Sequence, residues 1–153
     1  MALPKVVTGT IDGIGVVMNL NARNRLSLVL WFVAIHSCLI WLALTLLPPS
    51  GLTFFGLRIC SERFFPVQAG VFHLVMATMY AWAALGLLRV RELIRMAVVA
   101  KCIATVFLVT YYLVIDRIWV VLAAGIVDGL MAALIWHTLA AFERQPRETP
   151  PDC

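Results

Sequence analysis

Charge is what this chain has least of. Only 13% of its 153 residues are Asp, Glu, Lys or Arg, against about 25% in an ordinary soluble domain. Roughly a third of the unfolded surface stays exposed when a chain of this length folds, and 12 basic with 8 acidic side chains are too few to cover it. That excludes a water-soluble globule, and the length excludes a multidomain protein. Cysteine is scarce and badly spaced: Cys38, Cys60, Cys102 and Cys153 form no CxxC pair, so neither a disulfide framework nor a zinc site is indicated. The three histidines, His36, His73 and His137, form no HxxxH or ExxH repeat, so no metal or haem is expected. No cleavable signal peptide is expected either, because the first long apolar stretch starts at Leu26 and is too long for a signal core.

What the chain does have is apolar length. Hydrophobic residues are 63% of it and the mean hydropathy is +0.97. A helix needs about 20 apolar residues to cross a hydrocarbon layer of about 30 Å. Four segments meet that requirement: residues 26–47, 66–88, 93–115 and 118–139. The fold class expected is all-α, a four-transmembrane-helix antiparallel bundle over residues 26–139, with tails at 1–25 and 140–153. Pro48, Pro49, Ser50 and Gly51 end the first span, and Pro66 suits the first turn of the second. The other joints hold only Arg89 to Glu92 and Asp116 to Arg117, which forces neighbouring helices to run antiparallel.

Lys and Arg near membrane segments stay cytoplasmic. Lys5, Arg23, Arg25, Arg89, Arg91, Arg95, Arg144 and Arg147 fall on one side, Arg58, Arg63 and Arg117 on the other. The expectation is a bacterial inner-membrane protein with both tails cytoplasmic. This asymmetry accounts for the net charge of +4, and no nucleic-acid partner is expected. The Trp residues fall mostly near span ends, as in an interfacial aromatic belt.

Residues Val6 to Gly15 spell the TGxxxGxG turn of short-chain dehydrogenases. That turn works only between a strand and a helix inside a βαβ sheet, and here the chain meets the membrane about ten residues later. Cofactor binding is therefore not expected, and the tail reads as flexible or interfacial, with Ile11, Ile14, Val16, Val17 and Met18 along the headgroups.

Ionisable side chains are costly in hydrocarbon, so those inside spans mark a pairing or a function. Asp128 is the eleventh residue of the fourth span, near the bilayer midplane. Lys101 sits in the third span at a depth that differs from that of Asp128 by roughly 4 Å, within reach of a lysine stem, and a Lys101–Asp128 ion pair is expected. Ala124, Gly125, Asp128, Gly129, Ala132 and Ala133 make a small-residue face with a GxxxG that admits another helix closely. His73, Ala77, Tyr80 and Ala84 share a face on the second span, and Lys101, Thr105, Leu108 and Tyr112 share one on the third, where Thr105 and Tyr112 could bond within the bundle. His36 lies near the middle of the first span. The candidate site residues are thus Asp128, Lys101, His73, Tyr80 and His36. The loop from Pro48 to Phe65, with Phe54, Phe55, Leu57, Phe64 and Phe65 around Arg58, Glu62 and Arg63, reads as a surface connector, with a lid over the bundle as the alternative.

Several of these features resemble the small bacterial four-helix membrane proteins of the DoxX-like class: Arg63-Phe64-Phe65 leading into the second helix, Gly70 and Tyr80 within it, the Arg89-Val90-Arg91 turn, Lys101 and Asp128. The resemblance implies a topology and a Lys/Asp interior, and assigns no reaction. Three functions stay open. The chain is an accessory or structural subunit beside a membrane-protein partner or a second copy; or it binds or moves a lipophilic ligand or protons through its polar interior; or it is an enzyme on a lipophilic substrate with Asp128 as acid/base. In each case the lipid bilayer is its surroundings.

Overall fold

Inside a bilayer no water is available to backbone N–H and C=O groups, so apolar runs of this length satisfy themselves by winding into helices. The computed structural model describes residues 11–57, 63–87 and 91–144, with side chains from residue 22 onward. Lys5, Val6, Arg58, Cys60, Glu62, Arg89, Val90, Arg147 and Cys153, named above, lie outside the described residues. The elements are α1 (Ile11–Leu46), α2 (Pro49–Phe54), α3 (Phe64–Leu85), α4 (Arg91–Val114) and α5 (Trp119–Glu143), with no strand among the described residues. Four stretches are long and apolar enough to cross a membrane: Ala22–Leu46, Phe64–Leu85, Arg91–Val114 and Trp119–Glu143. The protein is an all-α, four-transmembrane-helix antiparallel bundle, with α2 as a short extra turn between the first two spans.

Of the two expectations for the N-terminal segment, a flexible tail is corrected, while the side chains on which an interfacial one rests lie outside those described. From Ile11 the segment is helical and continuous with the first span, through Gly13 and Gly15. Once the apolar part of α1 is wound, each added residue costs only its own ordering against one new hydrogen bond, and no proline stands in the way.

The helices associate as two tight pairs. α1 packs along α3 and α4 along α5; α1 meets α5 over a shorter stretch, and α3 meets α4 over one shorter still. Glycine makes each pair tight. A Cβ on Gly70 would come within 2.8 Å of the Thr45 hydroxyl and 3.3 Å of the Trp41 carbonyl, so α3 lies directly against α1. On α5, Cβ atoms at Gly125 and Gly129 would meet Leu108 at 3.1 Å and Thr105 at 3.3 Å, so the GxxxG serves contact with α4.

Between the pairs, packing is unequal along the bundle. At the end where the α1 span begins, Leu26, Leu30 and Val33 close against Tyr80, Leu87, Ile94, Ile135 and Leu139 in one core. Arg95 joins Glu143 across α4 and α5 at 2.8 Å at this end, and the Arg91 guanidinium lies 5.3 Å above the Phe142 ring. Beyond the level of Ser37, Lys101 and Asp128, toward α2, the only buried residues among those described are Gly70 and Gly125, each inside its own pair. The bundle is therefore solid at one end and splayed at the other.

The splayed end is bridged by α2 and the chain after it. Pro49 sits in the first turn, where its missing N–H costs nothing. The helix ends in a Schellman motif: Leu57 N–H donates to Leu52 O at 3.1 Å, and Gly56 N–H to Thr53 O at 2.9 Å. Gly56 has φ of 81°, a left-handed conformation that glycine adopts without a Cβ penalty.

Candidate functional site

α1 contributes its buried stripe, Leu26, Leu30, Val33 and Ser37, spaced by 4, 3 and 4 residues, so Ser37 is the polar end of a core face. α3 brings Tyr80, 1% exposed, with Ala77 and Ala84 on the same face and His73 half-buried above them. α4 and α5 bring Lys101 and Asp128, 5% and 8% exposed.

Lys101 Nζ donates to Asp128 Oδ1 in a buried ion pair. The glycine contacts set the register. Gly129 stands against Thr105 and Gly125 against Leu108 and Val109, which puts Asp128 about level with residue 106. The lysine stem therefore spans about 7 Å along the bundle, more than the depth estimate from span ends gave, because α4 and α5 are offset from each other. The ammonium also lies 5.8 Å from the centre of the Tyr80 ring, within cation–π range.

Beside the pair is a cavity of about 140 Å³, lined by Ser37, His73, Met76, Tyr80, Ala100, Lys101, Ala104 and Asp128. It lies on the α3–α4 side, where those two helices meet over only a short stretch and Ala100 and Ala104 leave room. Among the described residues the Ser37 Oγ, Thr45 Oγ1 and Tyr80 Oη atoms are buried without a hydrogen-bond partner; Ser37 and Tyr80 line the cavity, and Thr45 lies in the α1–α3 seam.

Four of the expected site residues thus gather here: Asp128, Lys101, His73 and Tyr80. His36 is half-buried and does not line the cavity, although both it and His73 lie within the electrostatic field of Lys101 and Asp128. Its neighbour Ser37 lines it instead, and the spacing from Leu26 through Val33 could have identified Ser37 from the sequence. Thr105 does not bond across the bundle: its hydroxyl donates to the Lys101 carbonyl of its own helix at 2.8 Å, and its methyl packs toward Gly129. Ala124 and Ala133, expected on the small inward face, are exposed, so that face is narrower than its composition suggested. His137 is exposed, and no group of three His, Cys, Asp or Glu could hold a metal ion among the described residues.

This arrangement can do two things chemically. It can hold a small polar group by hydrogen bonds from Ser37 and Tyr80 in the field of a fixed charge pair, and it can exclude any group much larger. A ligand site for a whole drug-sized molecule is about 300–1,000 Å³, so this space suits only the polar end of one, or a few water molecules. No family model, curated protein or solved structure matches the chain.

Proposed function

We propose that this protein binds a lipophilic small molecule by its polar end, with that end in the cavity beside Lys101 and Asp128 and the apolar remainder between α3 and α4 or in lipid. The observation that carries this is the pair of buried hydroxyls. A bundle serving only as packing or as an accessory subunit would gain from filling the space or bonding Ser37 and Tyr80 internally, since each unsatisfied buried polar group costs about 1–3 kcal/mol. A ligand carrying one acceptor and one donor satisfies both. Asp128 already holds Lys101, which favours binding over a role as acid/base in catalysis.

The proposal includes the setting: a bacterial inner membrane with both termini cytoplasmic, supported by the eight basic residues on that side against three on the other. It also includes kinship with DoxX-like proteins, supported by Lys101, Asp128 and the Arg63-Phe64-Phe65 turn.

The test is to purify the protein in mild detergent and analyse organic extracts by mass spectrometry, comparing wild type with Ser37→Ala, Tyr80→Phe and their combination. A compound retained by the wild type and lost from the double variant, at unchanged helicity and elution volume, supports the reading. Identical extracts from all four proteins would refute it.

A further inference from the structure

The central cavity restricts the charge of what can enter it as well as the size. Its lining contains one cation, Lys101, and one carboxylate, Asp128, and the two are bonded to each other. The polar groups left over are hydroxyls: Ser37 Oγ and Tyr80 Oη, on residues 0% and 1% exposed, have no hydrogen-bond partner among the described residues. Apart from half-buried His73, the rest of the lining is apolar: Met76, Ala100 and Ala104.

We propose that the ligand is a long-chain amphiphile with an uncharged hydroxyl head, in its simplest form a fatty alcohol, and that the Lys101–Asp128 pair is what excludes fatty acids and fatty amines. This rests on the reading that the cavity takes the polar end of a lipophilic molecule. Three observations carry the step from polar to uncharged.

The first is compensation. A buried charge is tolerated only when it is paired, and here each charge already has its partner within the chain. A carboxylate head would reach Lys101 only by drawing it from Asp128, leaving two buried anions to share one cation. An ammonium head would leave two cations to share Asp128. An uncharged head leaves the pair intact.

The second is valence. A hydroxyl both donates and accepts, so one alcohol oxygen can accept from Tyr80 and donate to Ser37, satisfying both orphaned groups with a single atom. The third is size and exit. A space of about 140 Å³ admits a hydroxyl and the first methylenes of a chain, and is too small for a phosphoglycerol head. Ala100 and Ala104 line it and are themselves partly exposed, on the side where α3 and α4 meet over only a short stretch, so a chain leaving past them reaches lipid.

The test is equilibrium binding to the full chain in an uncharged detergent at mildly alkaline pH. The probes are radiolabelled oleyl alcohol, oleate and oleylamine, which share one tail and carry heads of no, negative and positive charge. The wild type is expected to bind oleyl alcohol at one per chain and at least tenfold more tightly than either charged probe. Ser37→Ala combined with Tyr80→Phe should weaken the alcohol at least tenfold. Asp128→Asn, which keeps the shape of the side chain and frees the Lys101 ammonium, should reverse the order, with oleate binding at least tenfold more tightly than the alcohol. Because that variant also breaks the buried pair, it is read only at wild-type helicity and elution volume, and the wild-type ranking and the hydroxyl double variant decide without it.

Oleate or oleylamine bound by the wild type as tightly as the alcohol, and lost with the two hydroxyls, would overturn the uncharged head while leaving the cavity a ligand site. A folded Asp128→Asn protein that still prefers the alcohol would do the same. No binding of any probe, alongside a compound retained in the organic extracts, would also overturn this inference alone. Alcohol binding that survives the loss of both hydroxyls would overturn this inference and the reading beneath it.

Discussion

Removing either partner of the buried pair should destabilise the protein severely, whereas removing both should not. In Lys101→Met the Asp128 carboxylate keeps its burial and loses its cation. Breaking a buried pair from one side usually costs about 3–5 kcal/mol, because the charge left behind keeps its burial and loses its partner. Snorkelling offers Lys101 little relief: it lies ten residues into α4, about 15 Å from the helix start, beyond the length of its stem. The double variant Lys101→Met/Asp128→Leu replaces two charges by apolar groups of similar volume, and such replacements are neutral or stabilising by about 1–4 kcal/mol. Reversible unfolding in mixed micelles, read by circular dichroism, gives all four corners of the cycle. Single-variant losses under about 1 kcal/mol, or a double variant as unstable as the singles combined, would show that the two residues do not function as a pair.

Other outcomes follow from particular contacts. Gly70→Leu should separate α1 from α3 and cost more than the ~1–3 kcal/mol typical of overpacking, because the first added carbon already meets the Thr45 hydroxyl at 2.8 Å; the same unfolding assay reads it. Gly56→Ala should cost about 1–2 kcal/mol through its left-handed φ of 81°, with the loss appearing as faster proteolysis between α2 and α3 and not as lost helix content. Arg95→Ala should leave the unfolding midpoint nearly unchanged, because its partners Glu92 and Glu143 are at a partly exposed end of the bundle where ion pairs are weak. Reporter fusions after Arg144 and at Ser50 should report opposite sides of the membrane, with the first cytoplasmic; the reverse assignment would invert the charge-based topology.

The architecture was legible because its cause is local. Apolar runs of membrane-spanning length, proline at Pro48 and Pro49 and joints too short to cross the bilayer again depend on nothing distant in the chain. The inward faces were readable for the same reason: three- and four-residue spacing put Tyr80 with Ala77 and Ala84 whatever packs against them. Ser37 could have been found the same way, but its polarity set it apart from the leucine stripe it extends.

The remainder depends on how separate helices meet. Spacing on α4 cannot tell whether a threonine hydroxyl bonds a neighbouring helix or its own carbonyl, and Thr105 does the second. Nor can it say that the glycines of α3 and α5 tighten two pairs, α1 with α3 and α4 with α5, while leaving the space between the pairs open toward α2. The sequence by itself determined that four helices cross the membrane and that Lys101 and Asp128 lie deep within it, because burying charge and exposing backbone in hydrocarbon are costly in any fold. The pairing of those two charges was also expected from their depths. Only the tertiary structure decided that the pair stands beside a cavity, because the offset of α4 against α5 and the splay of the pairs depend on contacts between residues far apart in the chain.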